Sequence, residues 1–179
     1  RMLLGDSIRF LAIEGHQGFI RSLNIRENPA KQEVMNHLRQ LKLKGVSYTK
    51  DTLEKFRTIY SFLIELPENP ADNEMQELEN IKNEFQSEEL LYIPRKDKEW
   101  WSPSRVFWKD HNQIFGKLRG YLSSFYNPEV FPIFEKMGVK ETAGLDECIE
   151  VLKEISHRGE VTDAVQAIKE NGHEIAAHG

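Results

Sequence analysis

The basic and aromatic residues between Arg95 and Tyr121 have the types and order that a binding site could use. This stretch has seven basic and three acidic residues, a net charge of +4 in a chain whose formal net charge is −5. Aromatic rings can stack on nucleic-acid bases while lysine and arginine hold the phosphates. The candidate contact residues for a nucleic acid or a protein partner are Lys96, Lys98, Trp100, Trp101, Arg105, Lys117 and Arg119.

The same stretch also fits a purely structural role. Tryptophan and phenylalanine that alternate along a strand supply the core that a small sheet needs. Residues 65–89 contain nine acids and one base, and they could neutralise the neighbouring basic residues. The sequence therefore leaves open whether the aromatic rings are buried or exposed.

Other combinations of polar residues do not meet the requirements of known catalytic or metal sites. His173 and His178 are five positions apart, whereas the paired histidines of a zincin helix are four apart and share one face. Asp110 and His111 have serines nearby, but no Gly-x-Ser-x-Gly sequence presents a nucleophile. We predict no catalytic residue, no metal site and no cofactor. A small enzyme with a dispersed site around Asp110, His111 and Tyr121 is the alternative.

The composition is typical of a globular protein that is well solvated. Of its 179 residues, 39% are hydrophobic and 30% are charged, which is enough for one medium domain or two small ones. The single Cys148 excludes an intramolecular disulfide, and its place in an apolar helical pattern favours a core position over a reactive thiol. No run approaches the roughly 20 apolar residues that cross a bilayer. We expect a cytoplasmic protein with no membrane partner and, since the chain starts on Arg1, a piece of a longer protein.

Part of the sequence occurs twice. Residues 20–45 align without a gap on residues 134–159, at a constant offset of 114 positions. Apolar residues fall on apolar ones, as Val34 does on Cys148 and Leu38 on Leu152, and Gly45 falls on Gly159. Recurring units of this kind bury their apolar faces against neighbours. We therefore predict two similar helical units, although two copies do not establish an extended solenoid.

Apolar periodicity predicts a chain that is mostly helical. The expected helices span residues 28–44, 50–66, 73–86, 129–137, the second copy of the unit and 163–170. In the second copy, the predicted apolar face consists of Leu145, Cys148, Ile149, Leu152 and Ile155. A face of this kind should pack against the rest of the domain.

Two short apolar runs predict a small antiparallel hairpin between the helical units. Residues 90–93 and 105–108 are the expected strands, with residues 94–104 as the loop between them. The predicted fold is thus α+β, mostly α, with two similar helical units on either side of the hairpin. We divide it into residues 1–89, 90–127 and 128–172, followed by a tail over 173–179, within what we expect to be one compact domain.

Several segments resemble parts of very large sacsin-like proteins, a group that includes the plant protein NO VEIN and its bacterial relatives. The resemblance lies in residues 90–94, 101–110, 115–116 and 119–122, and in the units at residues 24–27 and 138–141 that each precede a helix. In such proteins a GHKL-type ATP-binding domain precedes long helical regions. The resemblance implies a segment downstream of that domain, and the ATPase motifs have no counterpart here.

The leading interpretation is a non-catalytic structural or protein-interaction module of a larger ATP-dependent protein, either chaperone-like or defence-related. Its partners would be proteins, including other domains of the parent chain. The first alternative is a nucleic-acid-binding module that uses the basic and aromatic stretch. The second is the small enzyme described above.

Overall fold

The computed structural model describes residues 29–109 and 115–158 of the chain. Within these ranges the helices are α1 (Lys31–Lys44), α2 (Lys50–Ile64), α3 (Asp72–Glu88), α4 (Phe131–Lys136) and α5 (Leu145–Arg158). The strands are β1 (Leu91–Tyr92), β2 (Trp100–Trp101), β3 (Val106–Phe107) and β4 (Gly120–Tyr121). The predicted class, mostly α with a small antiparallel sheet, is confirmed. The predicted helix over residues 163–170 lies outside the described residues.

Three helices begin with the same local device. The side chains of Glu33, Glu74 and Glu147 each accept a hydrogen bond of 2.8 Å from the backbone N–H three residues earlier. Each carboxylate lies in the first turn, where it also interacts favourably with the helix dipole. Helix α2 is instead capped by Thr49, whose hydroxyl accepts from the backbone N–H of Thr52 at 3.0 Å. These caps fix where the helices start and therefore which faces they present.

Helix α2 lies at the centre of the core. Leu53, Phe56, Ile59, Tyr60, Leu63 and Ile64 are all buried along it, so both sides of the helix are covered, as its broad apolar face indicates. The Phe56 ring stacks on Tyr92 of β1 with centroids 4.6 Å apart. One buried cluster extends from Val34 of α1 to Val139 beyond α4. We call strands β1–β4 and the described residues between them the β segment. The described part of the first unit, the β segment and α4 thus share one core.

The partner of β1 is not the one predicted from the sequence. Strand β1 pairs antiparallel with β2, so that Leu91 faces Trp101 and Tyr92 faces Trp100. The chain reverses within residues 94–99, where the Ile93 N–H donates to the Glu99 carbonyl at 2.7 Å. An ion pair of 2.7 Å between Arg95 and Asp97 lies inside this turn. The prediction of residues 94–104 as a loop is therefore wrong, because the polar turn is shorter and β2 follows it.

Strand β3 pairs with segments that come later in the chain. Val106 and Phe107 run parallel to Gly120 and Tyr121 of β4. On its other side, Phe107 forms a parallel bridge with Lys140. The Trp108 N–H donates to the Lys140 carbonyl at 2.9 Å, and the Lys109 N–H donates to that of Glu141 at 3.0 Å. The predicted antiparallel pairing of residues 90–93 with 105–108 is wrong, since these later segments take up the hydrogen-bonding groups of β3.

Helices α1 and α5 have the same bounds at the offset of 114 positions, but they bury different faces. Met35 and Leu38 of α1 are fully buried. Their counterparts in α5, Ile149 and Leu152, are 41% and 54% exposed. Helix α5 instead packs through Val151, which is 3% exposed, against a second small cluster.

The predicted apolar face of α5 is therefore wrong for Leu145, Ile149 and Leu152 and holds only for the side with Cys148 and Ile155. The second cluster consists of Phe107, Phe115 and Val151, with Leu118, Tyr121, Ala143, Cys148 and Ile155 packed against it. Glu154, which is on the same side of the helix as Val151, binds two arginines of the β segment. These contacts set the rotation of α5 about its axis, which apolar periodicity alone does not specify.

Candidate interaction surface

The two tryptophans of β2 are core residues. Trp100 is 9% exposed and Trp101 is 2% exposed. The Trp101 indole N–H donates to the Lys98 carbonyl at 3.0 Å. The cationic groups of Arg95 and Lys98 lie 5.5 Å and 4.9 Å from the centre of the Trp101 ring, which is the distance range of cation–π contacts. Neither ring is available to stack on a nucleic-acid base in this arrangement.

Two of the candidate arginines bind one carboxylate of this chain. Arg119 donates to Glu154 at 2.9 Å, and Arg105 donates to the other oxygen of the same carboxyl group. The Arg119 side chain is only 5% exposed. Burial by itself would raise the pKa of Glu154, but the hydrogen bonds from Arg105 and Arg119 outweigh it and hold the pKa at about 2, below the ordinary 4.5. The guanidinium groups therefore anchor α5 to the β segment.

Lys98, another candidate, pairs with Glu89, the residue that follows α3. Its ammonium lies 2.7 Å from the Glu89 carboxylate, and both side chains are about one-third exposed. Gln86 adds a second link, since its amide oxygen accepts from the Ser104 N–H at 3.2 Å. The chain around the end of α3 thus neutralises part of the basic stretch, which is the structural alternative that the sequence left open.

Lys96 and Lys117 are the candidates whose side chains are exposed to solvent. Each lies in a turn, Lys96 in the one that closes the β1–β2 hairpin and Lys117 in a 3-10 turn before β4. Lysine side chains on exposed turns are ordinary surface features. The structure thus separates the seven candidates into two buried aromatics, three bases engaged by acids of the chain and these two lysines.

A buried group of tyrosines, which no pattern in the sequence predicted, holds the β segment on the helices. The Tyr60 hydroxyl accepts from the Tyr92 N–H at 2.9 Å and donates to the Leu90 carbonyl at 3.1 Å. Tyr126 donates to the Tyr92 carbonyl at 3.0 Å. Burial raises the pKa of Tyr60 and of Tyr126 well above 10. These phenols stay protonated at neutral pH, and their hydrogen bonds hold the backbone of residues 90 and 92 in place.

A second link that the sequence did not reveal joins α1 to α3. Arg39 donates to Glu84 and to Glu88, both at 2.7 Å. The hydrogen bond from Arg39 lowers the pKa of Glu88 despite the opposing effect of burial. Helical spacing places Glu84 and Glu88 on one face of α3, but a single sequence does not say which cation of another helix meets them.

Candidate metal-binding and catalytic residues lie only partly within the described ranges. These ranges contain no group of three or more His, Cys, Asp or Glu side chains placed to hold a metal ion. Cys148 is half-buried against the second cluster, and Tyr121 packs against Phe107 with ring centroids 6.5 Å apart. Asp110, His111, His173 and His178 lie outside the described residues. Among the helices described, none has the length and apolarity required to cross a membrane.

An exposed apolar stripe is the surface feature that stands out instead. Leu145 is 76% exposed and follows the same line along α5 as Ile149 and Leu152, at positions i, i+4 and i+7. Helical spacing puts these three side chains on one face.

Comparison with protein-family models, with curated proteins and with solved structures gave no match.

Proposed function

We propose that this chain is a non-catalytic structural or protein-interaction module of a larger ATP-dependent protein that is chaperone-like or defence-related. The observation that carries the proposal is the use of the basic and aromatic stretch inside the fold. Trp101 is core, Arg105 and Arg119 bind Glu154, and Lys98 binds Glu89. Side chains committed to internal contacts are not free to bind or convert a substrate.

The resemblance to sacsin-like proteins supports the larger context, and the exposed stripe on α5 supports the interaction role. An apolar face that repeats at i, i+4 and i+7 differs from singly scattered apolar residues, which are normal on protein surfaces. Contact with other domains of the parent chain would bury it. The ATP dependence would belong to the adjoining domain, and this module would couple or scaffold.

The first test is the coding sequence on either side of this segment. An adjoining GHKL-type ATP-binding domain upstream supports the proposal. The purified chain should then bind the purified adjoining domains in a calorimetric titration. Flanking domains of an unrelated class would contradict the proposal. It would also be contradicted if the adjoining domains do not bind this chain and if this chain does not bring them together.

A second experiment tests whether the chain binds nucleic acid. We expect fluorescence anisotropy of labelled single-stranded DNA and RNA to stay flat on addition of the chain, even at low salt, where phosphate contacts are strongest. Salt-sensitive binding that is lost in the double variant Lys96→Glu, Lys117→Glu would favour the nucleic-acid alternative instead. Both substitutions are at exposed positions, so the variant should fold normally.

A further inference from the structure

Strand β3 separates the buried side chains into two clusters. Val106 and Trp108, on one face of the strand, belong to the large cluster around α2. Phe107 points to the other face, as alternation along a strand requires, and packs with Phe115 and with Val151 of α5. Among the described residues, the large cluster includes no side chain of α5. Helix α5 is therefore attached on the far side of β3 and takes no part in the main core.

Ion pairs supply a second part of this attachment. Glu154 binds Arg105 and Arg119, and its loss would leave the buried charge of Arg119 without this partner. Glu147 pairs with Lys140, whose side chain is 65% exposed, and exposed pairs of this kind contribute little to stability. The attachment of α5 thus depends chiefly on one carboxylate and on the small second cluster.

The chain that leads from the β segment to α5 is short. The carbonyls of Lys140 and Glu141 accept hydrogen bonds from backbone N–H groups at the end of β3. Helix α5 begins at Leu145, so residues 142–144 connect a fixed point to the helix. A few residues at the end of an element are enough to absorb the backbone rotation when that element moves.

We propose that α5 is a separate cooperative unit, which leaves the β segment as a whole while the core around α2 stays folded, and that Glu154 is its main restraint. Opening would uncover Phe107 and Phe115 and would remove the carboxylate from Arg105 and Arg119. The open state therefore presents an apolar surface with two cations, which the closed state conceals. Elements that move in conformational switching are drawn from such units of low local stability. This inference goes beyond the proposed function and does not depend on it.

Native-state hydrogen exchange of the full chain, measured by mass spectrometry, compares residues 150–156 of α5 with residues 60–64 of α2. When closing is faster than exchange, the exchange rate of an amide measures the population of its open state. A helix of 14 residues on its own is marginal in water, so opening removes the protection of the α5 amides. In the unaltered chain, we expect these amides to exchange at least about tenfold faster than those of α2.

Two conservative variants distinguish a separate unit from global unfolding. Ile59→Val weakens the main cluster and should speed α2 exchange about two- to tenfold. It should leave α5 exchange unchanged, because the closed state and the open state both contain this cluster and are weakened equally.

Glu154→Gln weakens the closed state alone, so α5 exchange should become about 30- to 150-fold faster. Exchange in α2 should speed up by no more than the same factor, since both rates are measured from the closed state. Glu150→Gln, at an exposed position of α5, is the matched control and should change neither rate.

Three results would overturn the inference. Equal acceleration of both helices by Ile59→Val would show that α5 opens only when the whole fold does. Exchange of the α5 amides as slow as that of α2 in the unaltered chain would show the same. An unchanged α5 rate in Glu154→Gln would mean that this carboxylate is not the restraint. None of these measurements involves the adjoining domains, so the proposed function would stand in each case.

Discussion

The guanidinium of Arg119 lies 2.9 Å from a carboxylate oxygen of Glu154, and Arg105 binds the other oxygen of that carboxyl group. Because Arg119 is buried, it depends on this partner for compensation of its charge. Replacement of Glu154 by glutamine keeps the shape of the side chain and removes its charge. We expect Glu154→Gln to reduce the free energy of unfolding at pH 7 by about 2–3 kcal/mol. Urea unfolding would measure this.

The same carboxylate predicts a pH dependence. The pKa of Glu154 is about 2 in the folded chain against an ordinary 4.5, so its contribution to stability is complete above pH 4.5 and is lost as the pH falls toward 2. Unfolding curves between pH 6 and pH 2 should show a shallower loss for Glu154→Gln. Glu150→Gln, at an exposed position on the same helix, is the control. An unchanged acid profile in Glu154→Gln would contradict the assignment.

The Tyr60 hydroxyl is a second point at which one group binds two partners, in this case two backbone groups. Tyr60→Phe leaves the buried Tyr92 N–H and Leu90 carbonyl without this oxygen. We expect a loss of about 1–3 kcal/mol, the usual penalty for an unsatisfied buried polar group. Tyr92→Phe is the matched control, because its hydroxyl makes only a long contact of 3.4 Å to the Val46 carbonyl. Equal losses in the two variants, measured by thermal unfolding, would rule out this role.

The aligned helices α1 and α5 provide a matched pair of leucines. Leu38→Ala should destabilise the chain by about 2–5 kcal/mol, as buried leucines do. Leu152→Ala, at the corresponding position but 54% exposed, should change the free energy of unfolding by less than about 0.5 kcal/mol. The sequence alone predicts equal effects. Denaturant titration of both variants distinguishes the two cases, and a large loss at Leu152 would show that its face is covered.

Gly120 in β4 leaves no room for a side chain. A Cβ there would lie 2.6 Å from Cδ1 of Ile93 and 3.2 Å from both Trp101 and Val106. We expect Gly120→Ala to destabilise the chain by about 1–3 kcal/mol through overpacking. Ile93→Val removes the crowding methyl group, so the double variant should lose less than the sum of the single changes. Strict additivity in a double-mutant cycle would mean that Ile93 is not the obstacle.

The parts of the fold that follow from local chemistry could be predicted, and the parts set by distant contacts could not. Helices α2 and α3 have caps and apolar periods that place their ends within two residues. The partner of β3 could not be read, because parallel pairing with residues 120 and 140 depends on chain crossovers. The rotation of α5 also escaped prediction, since a polar residue, Glu154, determines which side faces inward.

The candidate surface shows the same division. The sequence identified the bases and the aromatic rings of residues 95–121, and it identified the acidic stretch that neutralises part of them. It did not reveal that Trp101 lies beneath two of those cations, or that a carboxylate from α5 takes up Arg105 and Arg119. Those facts depend on which elements meet in space. They show that much of residues 95–121 makes contacts inside the fold and does not form an open binding face.

The central position of β3 has a consequence for synthesis. Its backbone, together with Trp108 and Lys109, bonds to residues 120–123 on one side and to Lys140 and Glu141 on the other. Helices α1, α2 and α3 precede it and contact one another, so this part of the core can collapse while translation continues. The ribosome must release residue 141 before the Trp108 and Lys109 amides meet their acceptors. A nascent chain stalled earlier would display an unfinished strand edge, the state in which misassembly with other chains is most favoured.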